Sequence, residues 1–388
     1  MPELLKRAAL PLRRYFNPRF QAVSNGIDSL SRDIGSLRQD VNQLREPIEQ
    51  LREPIEQLRV LVEPPDQVVV DRARQADYLA RVDVSQHNRS HRPAEFDGLQ
   101  CRAVSAAQCE DERYVNWWRL LLHVPETLSP GDEGAPMFYN RKLWEWAFIV
   151  QSIEQLDLMR PGKAAVGFGC GNEAIPAMLA SRGVDVLATD QTISSGSQWA
   201  ASGELMSGLD GLARDHLIDR SALSERVRTR HVDMNDVPDD LGEFDIAWSS
   251  CVIEHLGSPA RGLDFVLESL ALLRPGGVAV HTTELELTRK AETADYGNCA
   301  VYRLEDLQDF AARVASAGYE ASFNFHVAME SPHDRWISLV SAPGGTVLED
   351  VDHLKLVIGD SVSTSVSTSF GLIIRKPGST NPDPESRN

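Results

Sequence analysis

Three glycines and one isolated acid have the residue types and spacing of a nucleotide-binding turn. Gly167, Gly169 and Gly171 lie in the segment 164–174, at the end of a short apolar run. Glycine lets the backbone turn tightly off a strand and leaves room for a ligand where side chains would stand. Asp190 ends the next apolar run about 20 residues on, where a carboxylate can accept hydrogen bonds from both ribose hydroxyls. The pattern predicts a turn that encloses a nucleotide.

Three further segments follow the glycine turn in the order that a nucleotide site requires. At the end of a third predicted strand, Asp233 can accept from an adenine amino group and Met234 can pack on the ring face. Residues 244–256 predict a fourth strand, which runs into a Ser-rich turn and the tripeptide Glu-His-Leu. The Pro-Gly within Leu273–Gly277 predicts a tight turn between a helix and a fifth strand. Together these segments are much more specific than the glycine turn alone.

In this order the four segments resemble the class I S-adenosylmethionine-dependent methyltransferases, specifically the broad bacterial small-molecule, type 11-like group. The resemblance covers roughly residues 140–330. It implies a Rossmann-like α/β sandwich with a mostly parallel seven-stranded sheet whose last strand is antiparallel. It also implies S-adenosylmethionine as cofactor, held by a set of residues along these segments: Gly167, Phe168, Gly169, Gly171, Glu173, Asp190, Gln191, Asp233, Met234, Ser249 and Ser250.

Two positions depart from the family pattern. Gly167 stands where the family has an acid that holds the methionine end of the cofactor, and Glu173 stands where a third loop glycine is frequent. We therefore expect Glu173 to supply a displaced carboxylate near the charged end of the cofactor. In this family the helix before the glycine turn covers the cofactor, which makes Arg141, Trp144 and Glu145 second-rank candidates for the pocket.

The catalytic candidates follow from the chemistry of methyl transfer. The two reactants must be held in line and away from water, and a general base helps when the acceptor is a hydroxyl. His255 follows the fourth strand where the methyl is expected to emerge, with a cofactor-shelf or capping role as an equal alternative. His281 and Glu284 are the next candidates, although a satisfied core position is the preferred interpretation of His281. Glu254 is expected to favour a helix N-terminus, His87 to face solvent, and no metal is predicted.

Composition narrows the classes of function. The chain has 388 residues and a formal net charge of −18, which makes it a poor candidate for binding nucleic acid. Its five cysteines are scattered and form no Cys-x-x-Cys, so a disulfide or zinc framework is not expected. No run approaches the ~18 apolar residues of a membrane span, and the N-terminus does not read as a secretory signal. A cytoplasmic protein is the expectation.

The N-terminal segments predict self-association. Residues 1–26 form a basic lead-in for which contact with a membrane surface is possible but not favoured, because three prolines interrupt any long helix. Residues 27–63 carry a heptad repeat that favours a parallel two-stranded coiled coil, with β-branched residues at a (Ile27, Ile34, Val41, Ile48, Ile55, Val62) and leucines at d (Leu30, Leu37, Leu44, Leu51, Leu58).

A verbatim duplication complicates this coil. Residues 44–50 are repeated as 51–57, so Pro47 and Pro54 both fall at position g. Each proline removes a helix hydrogen bond and costs about 3 kcal/mol or more. The coil is therefore expected to run to about Glu46 and to kink or break after it.

The remainder divides into a helical lead-in at 66–150, a cofactor-binding catalytic domain at 151–376 and a disordered tail at 377–388. The lead-in contains predicted helices at Val68–Val84, Arg113–Val124 and Lys142–Ile153, with Trp117 and Trp118 expected in the core. The last hairpin is expected to pair residues 321–327 with 370–376, with 329–369 as an insertion. Insertions over the carboxyl ends of the strands should select the substrate.

Three functions remain open at this point. Methyl transfer to a hydroxyl of a sugar, a glycan or another small metabolite is the preferred one. An NAD-dependent oxidoreductase is the first alternative, because the glycine pattern with Asp190 also resembles a dinucleotide fingerprint. A non-catalytic coiled-coil scaffold with a degenerate cofactor domain is the second, and it is motivated by Gly167.

Overall fold

The computed structural model describes residues 67–89, 99–191, 205–296, 299–339, 353–360 and 362–378, with only the backbone for 67–72. The predicted basic lead-in and coiled coil lie outside the described residues, as does the tail from 379 onward. Within the described ranges, no helix combines the length and apolar character that crossing a bilayer would need.

A mixed sheet of ten strands forms the centre of the described structure. The strands, in chain order, are β1 (Cys101–Ala103), β2 (Ala164–Phe168), β3 (Asp185–Asp190), β4 (Val227–His231), β5 (Phe244–Ser250), β6 (Leu273–Glu286), β7 (Ala294–Asp295), β8 (Ala300–Val301), β9 (Phe323–Asn324), β10 (Ile337–Ser338), β11 (Lys355–Gly359) and β12 (Thr364–Arg375). Strands β7 and β8 pair with each other in a separate small sheet.

The main path of the sheet runs β10-β11-β12-β6-β5-β2-β3-β4. Strands β4, β3, β2, β5 and β6 are all parallel, whereas β12 is antiparallel to both β6 and β11. A mixed α/β fold with a central, largely parallel sheet and an antiparallel last strand is thus confirmed. Strands β1, β9 and β10 extend the sheet beyond the seven strands that were predicted.

Helices cover both faces of this sheet. They are α1 (Gln67–Arg81), α2 (Ala106–Cys109), α3 (Glu112–Leu122), α4 (Arg141–Gln155), α5 (Ile175–Ser181), α6 (Leu209–Leu212), α7 (Arg220–Arg226), α8 (Pro259–Ser269), α9 (Leu304–Ser316) and α10 (Pro332–Arg335). Helices α3, α4 and α5 pack with Trp248 in one apolar core, and α8 and α9 pack with Phe168 and Phe370 in the other. Trp117 and Trp118 lie in the first core, as predicted.

Helix α4 positions the side chains that matter most below. Asn140 caps its start by accepting a hydrogen bond from the backbone of Leu143 at 3.1 Å. The helix packs against β5, β6 and β12, so its first turn lies where β5 and β6 end. Helix α4 spans residues 141–155 and therefore continues across the predicted boundary between residues 150 and 151.

The predicted last hairpin is wrong in its first strand. Strand β12 pairs with β11, at residues 355–359, and not with residues 321–327. Only Phe323 and Asn324 form a strand in that earlier segment, and they pair with β1. The alternating apolar and polar residues of 321–327 resemble a strand, but the two that form one pair with β1 and not with β12. The short apolar run at 356–358, which forms part of β11, lies inside the predicted insertion at 329–369.

Candidate functional site

The glycine turn follows β2 at the carboxyl edge, the edge of the sheet where the parallel strands end. Gly169 and Gly171 adopt positive φ angles of 59° and 52°, a conformation that favours glycine. The carboxylate of Asp190, at the end of β3, accepts three backbone hydrogen bonds. They come from Gly171 at 3.1 Å, Gln191 at 2.8 Å and Met206 at 2.8 Å. Asp190 therefore joins the glycine turn to the end of the next strand, and its contact with a ribose stays a prediction.

Side chains of the protein fill the space above Gly167 and Gly169. A β-carbon on Gly167 would lie 2.2 Å from the Trp248 ring, and one on Gly169 would lie 2.6 Å from Val252. The expectation that these glycines leave room for a ligand is therefore wrong at both positions. Gly167 pairs with Trp248 on the neighbouring strand β5, so an acid at position 167 would collide with the indole.

Glu173 lies beside the same indole. Its Oε1 accepts the Trp248 Nε1–H hydrogen bond at 2.7 Å, and its side chain is buried. Burial raises the pKa of Glu173 to about 8, although the indole hydrogen bond and nearby Lys142 favour the charged form. Glu173 is thus a carboxyl group close to the glycine turn, and it is mainly protonated at neutral pH. Its expected role near the charged end of the cofactor stays a prediction.

A short segment lies over the glycine turn. The Asn172 side chain donates to the Leu205 carbonyl at 3.1 Å and accepts from the Ser207 backbone at 3.1 Å. Together with the bond from Met206 to Asp190, these contacts hold residues 205–207 against the turn. No motif in the sequence indicates that residues 205–207 cover the turn.

The predicted adenine contacts lie at the next strand end. The backbone of Val232 donates to the Asp190 carbonyl at 2.9 Å, which ties the end of β4 to the end of β3. Met234 is buried, and its carbonyl accepts from Arg261 at 2.8 Å. Asp233 is exposed and its carboxylate accepts from the backbone of Asn235 at 2.8 Å.

A second constellation, the carboxylate cluster, consists of Glu145, Glu254, Glu284, Arg141 and Cys251. All five are buried. Arg141 Nη1 lies 2.5 Å from a Glu284 oxygen and 3.2 Å from a Glu145 oxygen. The Cys251 Sγ lies 3.4 Å from an oxygen of each of these carboxylates, so its one proton can be donated to either. The cluster therefore joins the start of α4, the turn after β5 and the end of β6.

Hydroxyl groups complete the cluster. Ser369 donates to Glu145 at 2.5 Å and Ser367 donates to Glu284 at 2.5 Å, both from strand β12. Ser250 donates to Glu145 at 3.2 Å, and Thr283 donates to Glu254 at 3.2 Å. Buried carboxylates without such partners would be strongly unfavourable.

The environment within the cluster shifts the pKa values of Glu254 and Glu284 in opposite directions. Burial raises the pKa of Glu254, and neighbouring Glu284 raises it further, against the opposing effect of His255. Burial also acts to raise the pKa of Glu284, but Arg141 and Ser367 outweigh it and hold the pKa below its usual value. Carboxyl groups with such divergent environments are a signature of acid–base sites.

Ligand atoms of Cys251, Glu254 and Glu284 lie within 4.8 Å of one another, a spacing that could hold a metal ion. The guanidinium of Arg141 already contacts Glu284 there and supplies a positive charge. Burial and the nearby carboxylates raise the pKa of Cys251 well above its usual value, which disfavours a thiolate ligand. The expectation of no metal stays a prediction.

Several sequence candidates have side chains in the core. The two ring nitrogens of His281 contact Ser249 Oγ at 2.8 Å and Ser269 Oγ at 3.1 Å, and burial lowers its pKa to about 3. This environment fits the satisfied core histidine that was the preferred interpretation. Phe168 packs edge-on against Phe265, so the expected cofactor contacts of Phe168 and Ser249 are not made by their side chains.

Three neighbouring expectations need correction. Trp144 is fully buried and donates to Gln108 at 2.7 Å, so it is a core residue and not a pocket residue. Glu254 lies in a 3₁₀ turn and faces Thr283, whereas helix α8 starts later and is capped by Ser258. His255 is half-buried in that turn. His87 is buried and does not face solvent.

No protein-family model and no curated protein matches the chain. Among solved structures, it is similar to the Burkholderia thailandensis 1,6-didemethyltoxoflavin-N1-methyltransferase with bound S-adenosylhomocysteine, at 14% identity over 61% of this chain and 78% of that one, with a TM-score of 0.33. It is also similar to an S-adenosylmethionine-dependent methyltransferase from Mesorhizobium loti, at 15% identity over 57% of this chain and 96% of that one, with a TM-score of 0.33. A third similar structure is the methyltransferase domain of bacterial CtHen1-CN, at 14% identity over 61% of this chain and 100% of that one, with a TM-score of 0.35.

All three are named as methyltransferases. At these identities and TM-scores, the likenesses do not assign an activity to this chain.

Proposed function

We propose that this chain is an S-adenosylmethionine-dependent methyltransferase that acts on a hydroxyl of a sugar, a glycan or another small metabolite. The observation that carries the proposal is the hydrogen bond between Gly171 and Asp190 at the carboxyl edge. It brings the glycine turn and the ribose-binding candidate together beside the carboxylate cluster. In open α/β sheets this edge is where ligands bind.

The residues at this edge have the chemistry that the cofactor requires. Asp190 would hold the ribose, Asp233 and Met234 the adenine, and Glu173 the charged end. A carboxylate has about four acceptor sites, and three on Asp190 are filled by backbone donors. Contact with both ribose hydroxyls therefore requires that Met206 release Asp190. When bound, the cofactor supplies an electrophilic methyl group on a sulfonium.

Glu254 is the general base in this proposal, because its raised pKa gives it the greater proton affinity. Glu284 is held ionised by Arg141 and is a weaker base. Its role is to orient the acceptor, together with Glu145. His255 remains a proposed neighbour of the base. His281 is left out because both of its ring nitrogens are engaged in the core.

Two observations favour this function over its alternatives. Dinucleotide-binding dehydrogenases continue the sheet with a sixth parallel strand, whereas here the antiparallel β12 follows β6. A scaffold has no use for a buried cluster of three carboxylates, since such a cluster is expensive to bury. Self-association through the N-terminal coil and a cytoplasmic location remain part of the proposal.

Transfer of labelled methyl groups tests the proposal. The full chain is incubated with methyl-tritiated S-adenosylmethionine and with fractions of a bacterial extract that contain glycans, neutral metabolites or organic acids. We expect label in a hydroxylated compound, in a form that resists alkali, because ethers resist alkaline hydrolysis and esters do not. Label found only in alkali-labile esters, protein or nucleic acid would contradict the proposed acceptor.

A further inference from the structure

A cavity of about 270 Å³ lies beside the carboxylate cluster, and no role has been given to it so far. It is bordered by the turn after α1, by the residues that follow β6 and by the start of α9. Glu286, one of its lining residues, is two positions beyond Glu284 on β6, so the two α-carbons are about 7 Å apart and the side chains share a face. The cavity thus adjoins the proposed reaction site.

A buried imidazole lines this cavity. His87 is only 6% exposed, and neither ring nitrogen has hydrogen-bond geometry with a described residue, although the Glu286 backbone is close enough to favour the protonated ring. Burial nevertheless lowers the pKa of His87, so the ring is neutral at physiological pH. A neutral imidazole offers one donor and one acceptor, and leaving both unused in the interior is unfavourable.

The charges around the cavity balance. Three acids and three bases line it, and each base has a protein partner: Arg289 with Asp83 at 2.6 Å, Lys290 with Ser363 at 2.9 Å and Arg303 with Asp306 at 2.9 Å. No ligand anion is needed to neutralise them. Among the described residues, Gln86, His87 and Glu305 are the lining side chains without a hydrogen-bond partner. Such a lining suits a neutral ligand that both donates and accepts hydrogen bonds.

A row of serines connects the cavity with the carboxylate cluster. Alternate residues of β12 share one face of the sheet. Ser363 accepts from Lys290 at the cavity, and Ser365 contacts the Tyr296 hydroxyl at 2.8 Å. Ser367 and Ser369 then donate to Glu284 and Glu145. The tandem Val-Ser-Thr-Ser copies at 362–369 thus build one continuous polar face.

We propose that the cavity binds one neutral polyhydroxylated unit of the acceptor and holds it while a neighbouring unit is methylated. The volume is at the low end of small-ligand sites and suits a single sugar-sized ring. This inference rests on the proposed function for its second part, the link to methyl transfer. The binding of a neutral polyol at His87 stands on the geometry of the cavity alone.

Histidine NMR on the full chain tests this binding. The protein is labelled at its 10 histidines, the His87 signal is assigned with His87→Gln, and neutral methyl glycosides, inorganic phosphate and ethanolamine are titrated in turn. We expect methyl glycosides to shift the His87 signal in a saturable way. The affinities of the variants are measured by calorimetric titration, because His87→Phe lacks the His87 signal. We expect His87→Phe to weaken that binding at least about tenfold and Glu305→Gln to weaken it less. Asp309→Asn, an exposed control on the same helix, should leave it unchanged.

Each other outcome decides against the proposal. A shift caused by phosphate or ethanolamine but not by any methyl glycoside would show a charged ligand. No response to any of the three probes would show that the cavity has no ligand of this class. If His87→Phe does not fold, Gln86→Ala combined with Glu305→Gln replaces it, because both side chains are exposed. A separate titration with S-adenosylhomocysteine distinguishes failure of this proposal from failure of the proposed function. If methyl glycosides bind and S-adenosylhomocysteine does not, only the link to methyl transfer is removed.

Discussion

The two carboxylate sites at the carboxyl edge are satisfied in opposite ways. Asp190 is surrounded by backbone N–H groups from its own turn, the glycine turn and residue 206. The carboxylate cluster is satisfied by side chains, chiefly Arg141, Ser367 and Ser369. Backbone donors do not titrate, and of these three only the one from Met206 has to move when a ribose binds. The cluster depends on a charged partner and on hydroxyls from distant parts of the chain, so its protonation can respond to a substrate.

This difference fits a division between binding and chemistry. A carboxylate oriented by backbone donors presents its oxygens in a defined direction, which suits recognition of a nucleotide ribose once Met206 has released it. A cluster with divergent pKa values can take up and release a proton, which suits general base catalysis. Substitutions in the two sites should therefore affect different quantities.

The largest effect is expected at Glu254. Glu254→Gln keeps the size and a hydrogen-bond acceptor for Thr283 but removes the proposed base. We expect the rate of methyl transfer to fall about 10²- to 10⁴-fold with the affinity for S-adenosylhomocysteine unchanged. Single-turnover transfer of labelled methyl measures the rate. An unchanged rate would show that Glu254 is not the base. His255→Asn is then tested in the same assay, because His255 is the neighbouring candidate.

Loss of Arg141 should have the largest effect on stability. Arg141→Met leaves Glu284 as a buried charge without its cation. The free energy of unfolding, measured by urea denaturation, should therefore fall by about 3–5 kcal/mol. The exposed pair Arg220–Asp210 offers a matched control, since Arg220→Met should cost about 1 kcal/mol or less. Adding Glu284→Gln to Arg141→Met should recover part of the loss. Equal effects of Arg141→Met and Arg220→Met would refute a special cost of the buried pair.

Asp190 should control cofactor affinity. Asp190→Asn removes the charge and half of the acceptors, and we expect binding of S-adenosylhomocysteine to weaken by about 1.5–3 kcal/mol, roughly ten- to a hundredfold. Asp185→Asn is the control, because Asp185 is exposed at the opposite end of the same strand. Calorimetric affinities that do not differ between the two variants would remove Asp190 from the ribose site.

The smallest effect is expected at Glu173, and it depends on pH. The carboxyl group titrates near 4.5 in the unfolded chain and near 8 in the folded one. Between these values the unfolded chain has released a proton that the folded chain retains, so this group lowers stability as pH rises. Glu173→Gln keeps the acceptor for Trp248 and removes the titration.

The melting temperature of Glu173→Gln should therefore match that of the unsubstituted chain at low pH and exceed it by a few degrees at about pH 8. Differential scanning calorimetry across this range measures the difference. Glu154→Gln, an exposed change on α4, should show no such trend. A difference that shrinks as pH rises has the wrong sign and would contradict the buried, protonated state of Glu173.

The sequence predicts the backbone-satisfied site better than the cluster. Glycines, Pro-Gly turns and apolar runs act locally, and they correctly placed β2, β3 and the turn between them. The space above Gly167 depends on Trp248, which pairs with it across two strands that are far apart in sequence. Nothing local to residues 164–174 indicates that an indole fills that space.

The cluster was predicted only in part, for the same reason. Glu284 was a catalytic candidate, and Arg141 and Glu145 were second-rank pocket residues. Glu254 was expected only at a helix N-terminus and Cys251 had no predicted role, because the burial of both depends on α4 and on the end of β6. Ser367 and Ser369 lie within the segment 329–369, which the sequence predicts only as an insertion. A run of alternating serines beside a predicted strand end was the available signal, and its meaning required the register between β12 and β6.

Calorimetric titration of the unsubstituted chain with S-adenosylhomocysteine, with NAD as comparison, tests the central claim most directly. The account predicts saturable binding of S-adenosylhomocysteine with one site per chain and no heat from NAD. Saturable binding of NAD with no response to S-adenosylhomocysteine would contradict it.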